Sequence, residues 1–325
     1  MLSIALTKSF VHHRTIQPSS IRTRSSLCAH NTNMLSVSES MKRHDDGTIF
    51  VDGSWHLSER DGRKDYETGP RIENALFFDI DDVATKGHIT PHMMPPKDLF
   101  ARVMDKFGIT PESDVILYGT EGCFSLARTF YTFRAMGHKR VQIMQGSLKD
   151  WIDAGGPIET GAKESLKVDA LSDSVAPKYG AAVDAQNVVD IDKILEVVES
   201  GETSETLIVD ARSAQRFIGK APEPRAGLRG GHMPNAKNVP FNTLIEDVNK
   251  FRNKEDLIQI FNDAGVDVET EKDIICTCGS GVTACWLALA LEACGRDASK
   301  TFIYDGSWIE WASNEDNPVV KKNNL

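Results

Sequence analysis

A chain of 325 residues, 40% of them hydrophobic, can fill the cores of two ordinary domains, which excludes a disordered or fibrous protein. With 37 Lys and Arg against 47 Asp and Glu, the net charge of -10 repels a phosphate backbone and sets nucleic-acid binding aside. No apolar run is long enough to span a membrane, and six cysteines, four of them between 276 and 294, are too unevenly spaced for a disulfide framework, so a reducing compartment is expected.

Residues 1 to 38 carry Lys8, Arg14, Arg22 and Arg24, eight serines and no acid before Glu39, which is transit-peptide composition. His12, His13 and Arg14 break the apolar stretches that a secretory signal would keep whole. A mitochondrial leader over residues 1–40 is the expectation, with a disordered tail as the alternative, and initiation at Met34 would give a cytosolic form. Beyond residue 40 the chain holds 33 basic and 46 acidic residues, net -13.

Short apolar runs then alternate with helix-length segments: Ile49-Phe50-Val51 and Val115-Ile116-Leu117, later Leu207-Ile208-Val209 and Ile274-Ile275-Cys276. The alternation implies parallel strands joined by crossover helices. The two halves also repeat each other. Gln145-Gly146-Ser147-Leu148-Lys149-Asp150-Trp151 returns as Asp305-Gly306-Ser307-Trp308-Ile309-Glu310-Trp311, and Val51-Asp52-Gly53-Ser54 as Val209-Asp210-Ala211-Arg212, at an offset of about 160. A period that long describes whole domains rather than solenoid units. The expected fold is therefore α/β, two tandem domains at 46–158 and 188–325, each a parallel sheet flanked by helices. Residues 159–187, rich in Gly, Ala, Ser and charge, are expected to form an exposed linker.

Within the first copy, Phe77-Phe78-Asp79-Ile80-Asp81 is followed, eleven residues after Asp81, by His92 in Pro91-His92-Met93; spacing alone leaves His88 and His92 in competition. In the second copy, Arg216 and Arg225 lie nine residues apart around Pro222-Glu223-Pro224. Two guanidiniums on a proline-stiffened loop can grip an α-keto carboxylate or stand solvated, and Arg212 and Arg229 read as surface or salt-bridge partners. His232 is expected to bond its own turn before Pro234.

The chemistry concentrates in Cys278-Gly279-Ser280-Gly281-Val282-Thr283, between a strand and the segment Val282 to Leu291, which is apolar on nearly every side and reads as a buried helix closed by Gly295. Small residues at such a turn let backbone N–H groups point around the first side chain, and converging dipoles favour a thiolate. Cys278 is the candidate nucleophile, the alternative being a core cysteine beside a tight turn. Cys276, Cys285 and Cys294 read as core. Zinc would need a second ligand pair beside Cys276 and Cys278, and a cysteine phosphatase would need Arg where Ala284 stands. The matching loop of the first copy, Tyr118-Gly119-Thr120-Glu121-Gly122, has Gly119 in the thiol's place, so one copy is expected to do chemistry and the other to support it.

Together these residues resemble the two-domain rhodanese family over about residues 46 to 315. Gly231-His232-Met233-Pro234 is similar to the family's G-H-I-P-G, and the loop after Cys278 resembles the mercaptopyruvate sulfurtransferase branch, whereas thiosulfate sulfurtransferases usually carry Arg and Lys there. A compact dianion gains from cations in the loop, and Gly279 and Ser280 supply none. The resemblance implies that Arg216 and Arg225 bind 3-mercaptopyruvate. It further implies that Gly279, Gly281, Val282 and Thr283 frame the reacting sulfur, and that Asp81, His92 and Ser280 form a proton relay across the domain interface. Four departures stand out: Arg71-Ile72-Glu73-Asn74-Ala75 replaces an H-I-P-G-A turn, Glu121 stands where a small residue is usual, Phe124 lacks a hydroxyl, and Met41 to Ile49 leaves little room for a leading helix.

What the resemblance implies is sulfur transfer from 3-mercaptopyruvate through a Cys278 persulfide to a thiol such as thioredoxin, or to cyanide, with release of pyruvate. No metal or organic cofactor and no nucleic-acid or membrane partner is expected, and the protein is expected to be a monomer. The alternatives are a thiosulfate:cyanide sulfurtransferase and a noncatalytic persulfide carrier or redox sensor in which Cys276 gates Cys278.

Overall fold

Strands that are apolar on both faces must be covered on both, and crossover helices supply the cover. The computed structural model describes residues 33–321, apart from 58–59, 172–175, 181–186, 202–203 and 248. It contains two five-stranded parallel sheets. The first runs Met34–Leu35, Val141–Met144, Val115–Tyr118, Ile49–Asp52, Leu76–Phe77 across its width. The second runs Val188–Val189, Thr301–Tyr304, Asp273–Thr277, Thr206–Asp210, Lys237–Asn238. Strand for strand the order is the same, the spatial counterpart of the repeat, and the expected fold class is the one found.

The leading edge differs from expectation. Strand Met34–Leu35 and helix Val37–His44 precede residue 46 and belong to the first sheet's layer. Ser36 accepts from Glu39 N at 3.2 Å while the Glu39 carboxylate accepts from Ser36 N at 2.8 Å, a capping box readable in the sequence as Ser36…Glu39. The leading helix is thus present, but starts upstream of the window from Met41 to Ile49. Residues 1–32, which hold most of the expected leader and Cys28, lie outside the described residues.

The segment after 158 is mostly exposed or half-exposed and is anchored at intervals. Ile158–Glu159 pairs antiparallel with Arg71–Ile72, and Leu166, Val168 and Leu171 pack on the core. Tyr179 is buried, its hydroxyl 2.9 Å from His138 Nδ1, with Lys178 N and Tyr179 N donating to Asp105. Apolar residues spaced this widely leave no period to detect.

Helices Leu126–Ala135 and Ala284–Ala293 follow the corresponding loops of the two copies and share one continuous core. The second starts at Ala284 rather than Val282, is buried throughout from Ala284 to Leu291, and passes through Cys294 to Gly295 at φ +98°. Across this contact Trp286 Nε1 donates to Phe124 O at 2.8 Å and Arg134 pairs with Glu292 at 2.8 Å. The copies also reach into each other's turns: Thr90 Oγ1 donates to Gly306 O at 2.8 Å, and Asn249 Nδ2 to Gly146 O at 3.2 Å. No described helix is long and apolar enough to cross a membrane.

Candidate active site

Cys278 follows strand Asp273–Thr277 directly, at the carboxyl edge of the sheet where open parallel sheets bind ligands. It is 2% exposed, and its own N–H and C=O are tied down by Ser307 Oγ at 3.3 Å and Trp308 N at 3.0 Å. Among the described residues no protein acceptor is recorded for the N–H groups of 279 to 283. Of the two loop glycines, Gly281 is the one that its backbone requires. A Cβ on Gly279 would lie 3.1 Å from Arg216 Nη2, and Gly281, at φ +80°, would place one 3.0 Å from Asp305 O and 3.1 Å from Arg128 Nη1.

Arg216 sits on the single helical turn Ala214–Phe217 after strand Thr206–Asp210. Its Nε and Nη2 donate to Glu223 Oε2 at 3.1 and 2.5 Å. The other Glu223 oxygen accepts from Arg212 Nη1 at 2.9 Å. Arg212 is not a surface residue: it is fully buried, forks onto Asp210, donates to Gly231 O and lies 4.1 Å over the Trp308 ring. Burial disfavours its charge, but Asp210 and Glu223 outweigh burial and raise its pKa. Arg229 donates to the carbonyls of Ala312, Asn314 and Asn317, closing the end of helix Ser307–Ser313. His232 Nδ1 meets Phe217 O at 2.8 Å and its ring stacks on Phe217 at 3.8 Å.

The first copy contributes Asp81 and His92. His92 is 5% exposed, takes φ +62°, and holds Nδ1 2.6 Å from Asp81 Oδ1. Asp81 Oδ2 accepts from Trp55 Nε1 at 2.6 Å, and the Trp55 ring meets His92 edge-on at 4.7 Å. Burial pushes the Asp81 carboxyl up, but hydrogen bonds and attraction from His92, then Trp55 and Lys86, hold it below its ordinary value. His88 points elsewhere, with Nε2 3.1 Å from Glu310 Oε1. Of the two histidines left open by spacing, His92 lines the cavity and His88 does not.

Cys278, Ser280, Arg216, Arg225, Asp81 and His92 share one cavity of about 390 Å³, walled by Trp55, Phe124, Phe241 and Ile309. Gly279, Val282 and Thr283 line it as well, whereas Gly281 lies behind the loop and shapes it from there. Volume alone does not mark the place, since a depression of about 410 Å³ surrounds Lys254 and Arg296. The convergence of a thiol, two guanidiniums and an Asp–His pair does. Phe124 presents an apolar ring to the cavity, consistent with its missing hydroxyl.

Sequence spacing missed Trp55, Glu223, Arg128 and Asp305. Trp55 stands three residues past its strand, as Arg212-Ser213 stand past theirs, which is the only cue it gave. The other cysteines are core: burial pushes Cys276 well above the ordinary thiol range, Cys285 to about 12 and Cys294 to about 11. Cys123, Cys276, Cys278, Cys285 and Cys294 are free thiols. No cluster of His, Cys, Asp or Glu suited to a metal occurs among the described residues.

The rhodanese-like domain family matches this chain twice, at residues 30–154 and 192–314. The probable 3-mercaptopyruvate sulfurtransferase of Schizosaccharomyces pombe is 34% identical over 289 residues, covering 87% of this chain and 93% of its own length. The thiosulfate/3-mercaptopyruvate sulfurtransferase 1, mitochondrial, of Arabidopsis thaliana is 34% identical over 284 residues, covering 83% of this chain and 73% of its own. Among solved structures, the 3-mercaptopyruvate sulfotransferase SseA of Escherichia coli, described for its rhodanese fold, superposes with a TM-score of 0.72 at 29% identity over 85% of this chain and 99% of its own.

Proposed function

This chain belongs to the rhodanese-like family as a tandem pair, and from that membership we propose that it is a 3-mercaptopyruvate sulfurtransferase in which residues 188–325 carry the nucleophile and residues 46–158 complete the site. The observation that carries the reading is that a buried thiol, two guanidiniums and an Asp–His pair from the other half share one cavity.

Arg216, steered by Glu223, and Arg225 at the rim hold the carboxylate and carbonyl of the substrate, with its sulfur over Cys278. The Cys278 thiolate attacks that sulfur. The carbon–sulfur bond breaks and its electron pair enters the enolate of pyruvate. The thiol proton of the substrate leaves through Ser280 and His92 and returns to the enolate carbon, so thiolate and mercaptopyruvate give persulfide anion and pyruvate with no oxidant. Asp81 fixes the His92 ring through Nδ1 and leaves the other nitrogen for proton transfer. The loop N–H groups stabilise the anionic sulfur. An acceptor thiol such as thioredoxin then takes the outer sulfur, and no cofactor enters the balance.

Thiosulfate is the second donor to test, because the Arabidopsis relative is named for both and the two arginines can also hold a dianion. A mitochondrial location belongs to the same proposal, supported by the basic, serine-rich start and by that relative's name. The deciding experiment is kcat/KM of the full chain with 3-mercaptopyruvate and with thiosulfate, using cyanide and a dithiol acceptor. Preference for mercaptopyruvate supports the reading, preference for thiosulfate replaces the donor, and turnover of neither leaves a carrier. Cys278→Ser should abolish transfer while the fold persists.

A further inference from the structure

The loop carrying His92 belongs to the first half in sequence but is held from the second. Met94 N donates to Asp305 Oδ2 at 2.7 Å, Thr90 Oγ1 to Gly306 O at 2.8 Å, and His88 meets Glu310 at 3.1 Å. Asp305 turns its other oxygen to Arg128 Nη1 at 2.7 Å, with side chains 7% and 1% exposed. Arg128 Nη2 donates to the carbonyl of His92, and Nη1 lies 3.5 Å from the carbonyl of Gly281. One guanidinium therefore touches the backbone of the His92 loop, the backbone of the thiol loop and the carboxylate that accepts from Met94 N.

Two physical points make this more than packing. A buried ion pair is a poor source of stability, because desolvation offsets its attraction, and apolar side chains would fill the same volume. His92 also keeps φ +62°, a strained conformation for a side chain with a Cβ, which persists only where its surroundings over-determine it. The repeat supplies an internal control. At the place of Arg128 the second copy's helix has Trp286, which reaches Phe124 O beside the loop with Gly119 in the place of Cys278, and at the place of Asp305 the first copy has Gln145. The ion pair occurs only on the side that faces Cys278.

We propose that Arg128 and Asp305 are positioning residues, fixing the His92 loop and the Cys278 loop in one frame across the two halves. The proposal rests on the sulfur-transfer reading, with His92 as proton carrier. Arg128→Lys keeps the charge and loses the fork; Asp305→Asn keeps the shape and loses the charge.

The test is kcat and KM of the full chain with 3-mercaptopyruvate for the wild type, both variants, His92→Asn and the Arg128→Lys/His92→Asn double variant, with thermal unfolding alongside. In each single positioning variant kcat should fall at least about tenfold while KM stays within about threefold, since Arg216 and Arg225 are untouched. In the His92→Asn background Arg128→Lys should lower kcat by less than about twofold, because it acts through a group already removed. Lowered unfolding temperature with kcat within twofold of wild type overturns the proposal, as does a loss that multiplies fully with His92→Asn. If Arg128→Lys does not fold, Asp305→Asn decides alone. A wild type that turns over neither donor sinks the sulfur-transfer reading and this proposal with it; an active wild type with undisturbed variants sinks only the positioning role.

Discussion

Glu223 receives Arg216 Nη2 at 2.5 Å and Nε at 3.1 Å on a single oxygen, so the guanidinium facing the cavity is aimed by a carboxylate that is itself buried. The other oxygen holds Arg212, which cannot leave because Asp210 and Trp308 enclose it. Glu223→Gln removes the charge that steers both arginines. KM for 3-mercaptopyruvate should rise roughly tenfold with kcat changed much less, since binding is lost equally in ground and transition states. Steady-state kinetics on the folded variant checks it, and an unchanged KM would show that Arg216 finds its direction without Glu223.

The pairing of Asp81 with His92 gives a second expectation. Against the upward push of burial, His92 and then Trp55 hold the Asp81 pKa below its ordinary value, so the carboxylate is charged at every pH where the enzyme would work. Asp81→Asn removes the charge that orients the ring and leaves one accepting oxygen where His92 and Trp55 now have one each, and kcat should fall by about 10²-fold, within the usual range for acid–base groups. By linkage, a depressed carboxylate pKa contributes stability above the unfolded value and loses it as pH falls through the folded one. Because Asp81 is half exposed, that contribution is small after solvent screening. Unfolding temperature should therefore separate little between wild type and Asp81→Asn at neutral pH, while kcat separates strongly.

Gly281→Ala should damage the loop without touching the thiol. The residue sits at φ +80°, and the added carbon would meet the backbone Asp305 O at 3.0 Å and, at 3.1 Å, Arg128 Nη1, which is held by Asp305 and by the carbonyl of His92 through its neighbour Nη2. The expected destabilisation is about 1–3 kcal/mol from backbone strain alone. Activity should fall further than stability, because the same carbon displaces the frame shared by Cys278 and His92. Retention of full kcat would mean that the loop carbonyl need not stay near Arg128.

Why some of this was legible in the sequence and some was not follows from where the information lies. The loop 278–283 carries its chemistry in consecutive residues, and the repeat fixes both its surroundings and its thiol-less counterpart at Gly119. Trp55 and Asp81 meet across 26 residues, and Arg128 and Asp305 across far more, so neither pair leaves a spacing to read. Glu223 was visible between two prolines, but its meaning depends on two arginines converging on it. Gly281 shares the loop, but a side chain there would point at Asp305 and Arg128, which the loop's sequence does not show. The capping box Ser36…Glu39 was overlooked because the basic, serine-rich stretch around it matched leader composition first.

The repeat also predicts where the first copy is weakest. Asp210 Oδ1 accepts from Arg212 N at 2.8 Å and pairs with the Arg212 guanidinium; Asp52 Oδ1 accepts from Ser54 N at 2.9 Å in the same turn, but no guanidinium follows because Ser54 stands where Arg212 does. Burial pushes the Asp52 carboxyl up to about 6, partly offset by hydrogen bonds from Ser54 and Tyr118. A carboxyl whose folded pKa lies above its unfolded value favours the folded state fully at low pH and loses that contribution as pH rises from about 4 through about 6. Asp52→Asn keeps the acceptor and removes the charge, so it should stabilise the protein at pH 7 by about 2–3 kcal/mol, since each tenfold change in proton affinity between the unfolded and folded states is worth about 1.4 kcal/mol. At pH 4 the gain should vanish, because the wild-type carboxyl is then protonated as well. Denaturant unfolding at the two pH values checks the sign: a gain that persists at pH 4 would trace to packing, and no gain at pH 7 would mean that Ser54 and Tyr118 already compensate the buried charge.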